Sequence, residues 1–301
     1  MSGPAGKVAS VAVAGSINLD IVMTAERLPG PGETVSGSGF RLALGGKGAN
    51  QAVAARKLGA DVTFVGRTGG DGFGGIVRRA LADFGLDLAH VTTSDAAGTG
   101  IATIAIDAAG QNAITIVAGA NADLSPADLD AADAALRRCG VLLLQCETPL
   151  ATSLEAARRI RSAGGTVILD PAPVPPQGIA AFAGLADIVT PNESEARLLT
   201  GIAVNGRDAA LAAARVLVGQ GFSVAVVKCG GAGLAWSGRF GEGMAPAFAV
   251  PVVDTVAAGD VFNAALGVGL AESCPFPAAL SMAQAAAALA VTRPGAAGSA
   301  P

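Results

Sequence analysis

A chain of 301 residues, 51% of them hydrophobic, has enough apolar surface for a large buried core, as one large domain or two smaller ones. A net charge of −4 without any long basic run argues against a nucleic-acid partner. No stretch reaches the roughly 20 apolar residues of a membrane span, and the N-terminal "MSGPAGKVASVAVAGS" lacks a basic start followed by a long apolar run, so a soluble cytoplasmic protein is expected.

In chain order, "SVAVAGSI" reads as a buried strand, "GANQAVAARKLGA" as a helix, "DVTFVG" as a strand and "GFGGIVRRALADFG" as a second helix. Then come "VLLLQ", "LATSLEAARRIRSAGG", "TVILD", "DIVTPN", "ESEARLLTG", "RDAALAAARVLVGQG" and "SVAVVKCGG". This alternation predicts an α/β fold with a mostly parallel central sheet and helices on both faces, with functional residues at the C-terminal ends of the strands. Residues 20–44 and 99–118 break the rhythm with Pro/Gly punctuation and strand-like pieces, the second a hairpin turning at "DAAGQ". They read either as a small β subdomain covering a pocket or as two ordinary edge hairpins. The tail "RPGAAGSAP" ends without a final helix.

The four cysteines, Cys139, Cys146, Cys229 and Cys274, form no C-x-x-C pair and fit small buried hydrophobes. His90 is the single histidine and lies in "AHVTTSD", which reads as a polar turn. A Ser-His-Asp triad or a multi-histidine metal site is therefore discounted.

Three glycine-rich loops compete as ligand sites. "GGDGFGG" carries a G-x-G-x-x-G at Gly70, Gly72 and Gly75, but with 42 glycines a chance match is cheap and the strand before it is not the first of the sheet. "LGGKGANQAVAARKLG" is more specific: Gly45 and Gly46 let backbone approach a ligand, and Lys47 and Asn50 offer an ammonium and an amide from a first helical turn. A glycine turn before a solvated lysine is the plainer alternative, and no Walker A loop is present. "VKCGGAGLAW", with Gly230, Gly231 and Gly233, suits either a nucleotide or a plain hairpin turn.

"DTVAAGDVFNAALGVGL" poses the sharper question. Ala257, Ala258 and Gly259 leave the N-terminus of a helix uncrowded, and its free N–H groups favour an anion. Asp260 beside them is either an acid stabilising the first turn or a general base acting next to a bound phosphate. The small residues before it favour the base.

These pieces together resemble the PfkB carbohydrate kinase family, most narrowly its ribokinase branch. The likeness runs in order through "VAGSINLD", "PGETV", "GGKGANQAVAA", "VAGANADLSP", "QCETP", "LDPAP", "TPNESEA", "DTVAAGDVFNAAL" and "AVTRPGA", nearly the whole chain. The resemblance implies one ribokinase-like domain over residues 1–301, with a β lid from about 17–44 and 97–120 that in the family often forms a homodimer contact. It implies transfer of the γ-phosphoryl of ATP, with Mg2+, to the 5-hydroxyl of D-ribose. Asn18, Asp20, Gly46, Lys47, Asn50 and Glu147 match sugar-binding positions. Asp260 matches the catalytic base, and Ala257, Ala258 and Gly259 the anion hole. Asn192 and Glu195 match the pair near phosphates and magnesium, Lys228, Gly230 and Gly233 the nucleotide loop, and Gln284 a nucleotide-side position. An activating K+ is implied at Asp254, Val256, Ala290, Arg293, Gly295 and Ser299. The chain departs from the pattern at Lys228, where a neutral threonine is common, at Gln284, and at Pro301, where relatives continue into another helix.

Overall fold

A computed structural model describes residues 8–301. In chain order the elements are β1 (Ser10–Ala14), β2 (Asn18–Ala25), β3 (Gly37–Gly45), α1 (Lys47–Lys57), β4 (Asp61–Gly69), α2 (Gly72–Asp83), β5 (Val91–Ser94), β6 (Gly100–Ile106) and β7 (Asn112–Val117). There follow α3 (Pro126–Leu136), β8 (Val141–Leu144), α4 (Leu150–Ser162), β9 (Thr166–Leu169), β10 (Ile188–Val189), α5 (Glu193–Thr200) and α6 (Arg207–Gly219). The last are β11 (Val224–Lys228), β12 (Leu234–Gly238), β13 (Gly243–Ala245), α7 (Ala258–Ala271) and α8 (Phe276–Ala290).

The large sheet has nine strands in the order β13-β12-β11-β10-β9-β8-β1-β4-β5. β12 and β13 pair antiparallel at one edge and the other strands run parallel. Its strands are apolar on both faces, as a sheet covered on both sides requires. The two-residue period divides them: Val11, Val13, Val141 and Leu143 face α1, α7 and α8, while Ala12, Ala14, Leu142 and Leu144 face α3, α4 and α6. Small residues let the helices sit close. Helix α1 is buried from Gly48 to Ala55, and at Gly267 of α7 a Cβ would come within 2.9 Å of Leu143 Cδ2.

The chain lays β4 and β5 on one side of β1, then crosses back to place β8 on the other. Strand order reverses between β1 and β8, and the crevice beyond their C-terminal ends is where ligands bind in such sheets. Gly15-Ser16 leave β1 there, and Gln145-Cys146-Glu147 leave β8.

The two segments that interrupt the alternation pair with one another. They form a separate four-stranded sheet, β3-β2-β6-β7, with β2 and β6 parallel at its centre. They are one β subdomain, not two edge hairpins. Its outer strands present apolar side chains to solvent: Phe40 is 75% exposed, Ile114 53% and Ile116 54%.

One local reading changes in part. "AHVTTSD" is a turn only at its start: Ala89 and His90 lie in a turn closed by Val91 N–H to Leu88 O at 3.0 Å, while Val91 to Ser94 form edge strand β5, paired with Gly66 to Gly69 of β4, because β-branched residues suit a pleated edge. The "GGDGFGG" loop follows strand β4 and opens helix α2, as its pattern predicts. Asp71 caps α2 through Gly74 N (2.7 Å) and also binds Thr99 N and Oγ1 (2.9 and 2.7 Å), fastening the base of the small sheet to the core. Among the described residues no helix is long and apolar enough to cross a membrane.

Gly267→Val would force α7 away from β8 and is expected to cost about 1–3 kcal/mol, the usual penalty for overpacking. A urea midpoint unchanged from the parent would show that this contact has slack.

Candidate active site

One group of polar residues gathers at the switch point. Helix α1 begins at Gly46, whose φ of +86° and whose Cβ position, 2.8 Å from Asn18 N and Ser16 O, admit only glycine. That helix end has no local side-chain cap. The Glu147 carboxylate, from the far side of the switch point, takes the role: it accepts Lys47 N–H at 3.0 Å and the Ser16 hydroxyl. Asn121 accepts Ile17 N–H at 2.8 Å and donates to Asn18 Oδ1 at 2.8 Å, which leaves the Asn18 amide N–H groups to face outward as donors. Asp20, one residue beyond Leu19 on β2, packs so near Gly45 that a Cβ there would overlap its carboxylate.

Asp260 lies in the first turn of α7 and is 4% exposed. Its Oδ2 accepts Asn50 Nδ2 and its Oδ1 accepts Gln51 Nε2, each at 3.0 Å. Gln51 Nε2 also reaches Asp170 Oδ2 at 3.2 Å, so one amide bridges two buried carboxylates. Gln145 Nε2 donates to Gln51 Oε1 at 2.7 Å and fixes that amide's orientation. Asp170 Oδ1 faces Lys228 Nζ at 3.4 Å. Ala257, before the helix, has φ 59°, a left-handed conformation that costs an alanine about 1–2 kcal/mol. Backbone strain of this kind clusters at functional sites, and here it shapes the loop that presents the first N–H groups of α7.

Electrostatics follow from this crowding. Burial raises the Asp260 carboxyl to about 6, with Asp170 adding to the rise, while the Lys47 ammonium and the Gln51 and Asn50 amides hold it from going further. Asp20 is also pushed up to about 6, by burial and then by Glu147, with Arg41 opposing. Burial pulls Lys47 down, but Asp260, Asp170, Glu147 and Glu195 outweigh it and the ammonium is held well above its usual range. Glu195 is raised by burial and by Asp170.

A cavity of about 860 Å³ opens on the other side of Asp260. Lys47, Asp170, Lys228, Gly259, Asp260 and Gln284 line it, together with the turns holding Asn192, Glu195, Gly230 and Gly233. Asn192 and Glu195 close a capping box at the start of α5, with Asn192 N–H to Glu195 Oε2 at 2.8 Å and Glu195 N–H to Asn192 Oδ1 at 2.9 Å. Gly230 and Gly233 form the β11–β12 hairpin turn, so that loop is both a hairpin turn and part of the cavity wall. At Gly233, φ 102°, a Cβ would lie 2.0 Å from Ala245 O. Gln284 donates to Pro246 O at 3.2 Å across the rim.

The residues matched to a monovalent cation surround the loop before α7. Asp254 accepts Val256 N–H at 3.0 Å and Gly295 N–H at 2.9 Å, tying that loop to the C-terminal segment. Ala290 O accepts Arg293 N–H at 3.1 Å. Ser299, 1% exposed, donates its hydroxyl to Ala296 O at 2.8 Å. Lys57, at the end of α1, binds Gly298 O at 2.9 Å and also Ala300 O, and Arg293 Nη1 reaches Ala300 O at 3.2 Å, so the tail is held without a final helix.

Sequence reasoning brought out neither Gln51 nor Asp170, nor the supporting Ser16, Asn121 and Gln145. Asp170 had a usable signal, as an acid directly after the apolar strand "TVIL". Gln51 adjoins Asn50, and both amides meet Asp260 from the same helical turn.

A family model for the pfkB family carbohydrate kinases matches residues 8–301. The chain is similar to the ribokinase of Haemophilus influenzae, 38% identical over 293 residues, 97% of this chain and 95% of that one. A deoxyribokinase of Salmonella typhi is 37% identical over 240 residues, 80% of this chain and 78% of the other. The structure of Arabidopsis thaliana ribokinase complexed with ribose and ATP is matched with a TM-score of 0.88 at 35% identity, over 98% of this chain and 96% of that one. A buried carboxylate at a helix N-terminus, set between a polar cluster and a large cavity in this fold, is thus found in a sugar kinase, and the chain belongs to the PfkB family of carbohydrate kinases.

Proposed function

We propose that the protein transfers the γ-phosphoryl group of ATP to the 5-hydroxyl of D-ribose, giving D-ribose 5-phosphate and ADP. The observation that carries this reading is the place of Asp260, between the polar cluster at the switch point and the cavity. Ribose would lie against Asn18, Asp20, Gly46, Lys47, Asn50 and Glu147. Asp20 and Glu147 accept from its hydroxyls, and Asn18 and Lys47 donate. Asn50 Oδ1 is buried without a partner among the described residues, and a sugar hydroxyl at that point would satisfy it. A sugar lacking one hydroxyl would leave a carboxylate unpaired, the strongest form of discrimination available to a polar site.

Asp260 takes the proton of the 5-hydroxyl as its oxygen bonds to the γ-phosphorus. The bond from that phosphorus to the β–γ bridging oxygen breaks, and ADP leaves with the electron pair. The N–H groups from Ala257 to Gly259 receive the charge on the transferring oxygens, with positioning and charge stabilisation supplying most of the rate. ATP would occupy the cavity beside Asn192, Glu195, Lys228, Gly230, Gly233 and Gln284. Among the described residues no group of three or more His, Cys, Asp or Glu gathers to hold a metal, which fits a Mg2+ ion held chiefly by phosphate oxygens and water, with Asn192 and Glu195 nearest. When bound, that ion would neutralise phosphate charge. The Asp254 carboxylate, the carbonyls of Val256, Ala290, Arg293 and Gly295, and the Ser299 oxygen would supply oxygen donors of the kind K+ takes, and the ion would brace the loop shaping the anion hole.

A sugar-dependent ADP-release assay tests the reading. Ribose is expected to outpace 2-deoxyribose, and a ratio at or below one would move the assignment to a deoxyribose kinase. In the same assay sodium in place of potassium lowers turnover. Asp260→Asn loses about 10²–10⁴ in kcat, the usual share of a general base. The variant is expected to fold, because the Asn50 amide can turn its unpartnered Oδ1 toward the new N–H group.

The pH profile gives a second check. Both Asp260 and Asp20 have carboxyls raised to about 6, so the working carboxylates are lost as pH falls through 6. The kcat/KM for ribose should fall below pH 6 with a slope approaching two decades per unit, and with a slope of one in Asp20→Asn. A profile flat down to pH 5 would remove both groups from their roles.

The apolar outer face of the small sheet supports a homodimer formed through the lid. Phe40→Glu is expected to turn a dimer into a monomer in sedimentation. A wild-type protein that is monomeric at all concentrations would end that proposal.

A further inference from the structure

The cavity contains a charge pair between Lys228, which would lie beside ATP, and Asp170, which the reaction above does not use. Lys228 Nζ and Asp170 Oδ1 are 3.4 Å apart, with side chains 15% and 4% exposed. For two groups so nearly withdrawn from water this is a loose pair, since charge-assisted N–H···O bonds close to about 2.7–2.9 Å. The reason lies on the other side of the ammonium. A Cβ placed on Gly259 would stand 3.3 Å from Lys228 Nζ, and the Phe262 ring centroid is 5.9 Å away. The ammonium therefore hangs between Asp170 and the first turn of α7. A cation at the positive end of a helix is unfavourable until an anion joins it.

Asp170 has a second partner. Its other oxygen takes Gln51 Nε2 at 3.2 Å, and the same nitrogen holds Asp260 Oδ1 at 3.0 Å. Charge on Asp170 is thus felt by Asp260 through one shared amide. The ionic groups around Asp260 are Lys47 from α1, Asp170 after β9 and Lys228 from β11, with Glu147 after β8 and Glu195 from α5 acting through Lys47.

We propose that Lys228 and Asp170 form a nucleotide-released pair: phosphates bound at the α7 N-terminus draw the Lys228 ammonium off Asp170, and the uncovered carboxylate, joined to Asp260 through Gln51, makes Asp260 the stronger base while nucleotide is present. Lys228 then touches the phosphates directly. Asp170 is a positioning residue, acting only through Gln51 and charge. In the nucleotide-free protein Asp170 is masked, and the base is less ready to take a proton from sugar or water. The inference rests on the kinase reading and deepens it.

The test uses the full chain and near-isosteric variants, Lys228→Met, Asp170→Asn and the double variant, each checked by thermal unfolding. ADP release is followed against pH with ribose and ATP. Absence of sugar-dependent release by the parent protein would defeat the kinase reading itself, separately from this proposal. In an active parent, Asp170→Asn is expected to lower the midpoint of the acid limb of kcat by roughly one unit, because a neighbouring like charge has been removed. The phosphates' own charge is common to parent and variant, so it does not contribute to that difference. Lys228→Met raises KM for ATP about tenfold or more and raises the acid limb of kcat/KM for ribose measured at low ATP. The double variant returns that limb toward the parent while KM for ATP stays high. Asp170→Asn with an unmoved kcat limb would overturn the proposal, as would a double variant whose limb stays where Lys228→Met put it. A purely structural pair would change stability and leave both limbs in place.

Discussion

The site depends on one ammonium facing four carboxylates. Lys47 is drawn on by Asp260, Asp170, Glu147 and Glu195, which come from α7, the end of β9, the end of β8 and α5. Parts of the chain more than 200 residues apart share that single cation. Without it the carboxylates would repel one another, and the buried ones would be driven to neutral forms. A protonated Asp260 could not accept a proton. In the proposed reaction the lysine would serve first to keep Asp260 ionised at neutral pH, and only then to touch ligand.

The fold gathers these groups by its connectivity. Because β1 and β8 are neighbours in the sheet but distant in the chain, the residues leaving them meet beyond their ends. Glu147 shows what this meeting achieves. It closes the open N-terminus of α1 through Lys47 N–H, and so fixes the turn that carries Lys47, Asn50 and Gln51. A loop carboxylate from one half of the sheet thereby sets the position of a helix in the other. The far end of α1 is fastened too, since Lys57 holds carbonyls of the C-terminal tail. Movement of α1 would be felt at once by Asp260, through Asn50 and Gln51, and by the tail loop joined to Asp254.

Much of this was legible in the sequence. The period-two strands and alternating helices define the sheet, and the small residues before Asp260 mark an open helix end. The two rhythm-breaking segments could be seen as strands, but their pairing into one sheet could not, because β2 with β6 is a contact across the chain. "AHVTTSD" reads as turn throughout, whereas only Ala89 and His90 are turn, because polar β-branched residues suit an edge strand as well. Asp170 and Gln51 escaped notice for a physical reason: each is unremarkable alone, and their importance lies in one shared nitrogen that only the tertiary fold creates. The glycine loop at Gly230 could not be resolved between hairpin and cavity-wall turn because one turn serves as both.

The same cluster sets a balance between stability and chemistry. Asp260 has a folded-state pKa near 6 against 3.8 in a free chain. A carboxyl raised on folding adds stability only while it is protonated, below about pH 4, and that contribution is lost as pH rises through 6. At neutral pH the ionised Asp260 carboxylate therefore works against the fold, by the direction of its shift. Lys47 works in the opposite sense. Its ammonium is held above its usual range, so its contribution is fully present throughout the neutral range and is lost only as pH rises through its folded-state pKa. The two shifts have opposed causes: burial drives the Asp260 rise and Lys47 restrains it, whereas the surrounding carboxylates drive the Lys47 rise against burial. An enzyme that needs a charged base there must carry the cation with it, and the glycine-bounded turn at Gly46 is what allows a lysine backbone to come close enough.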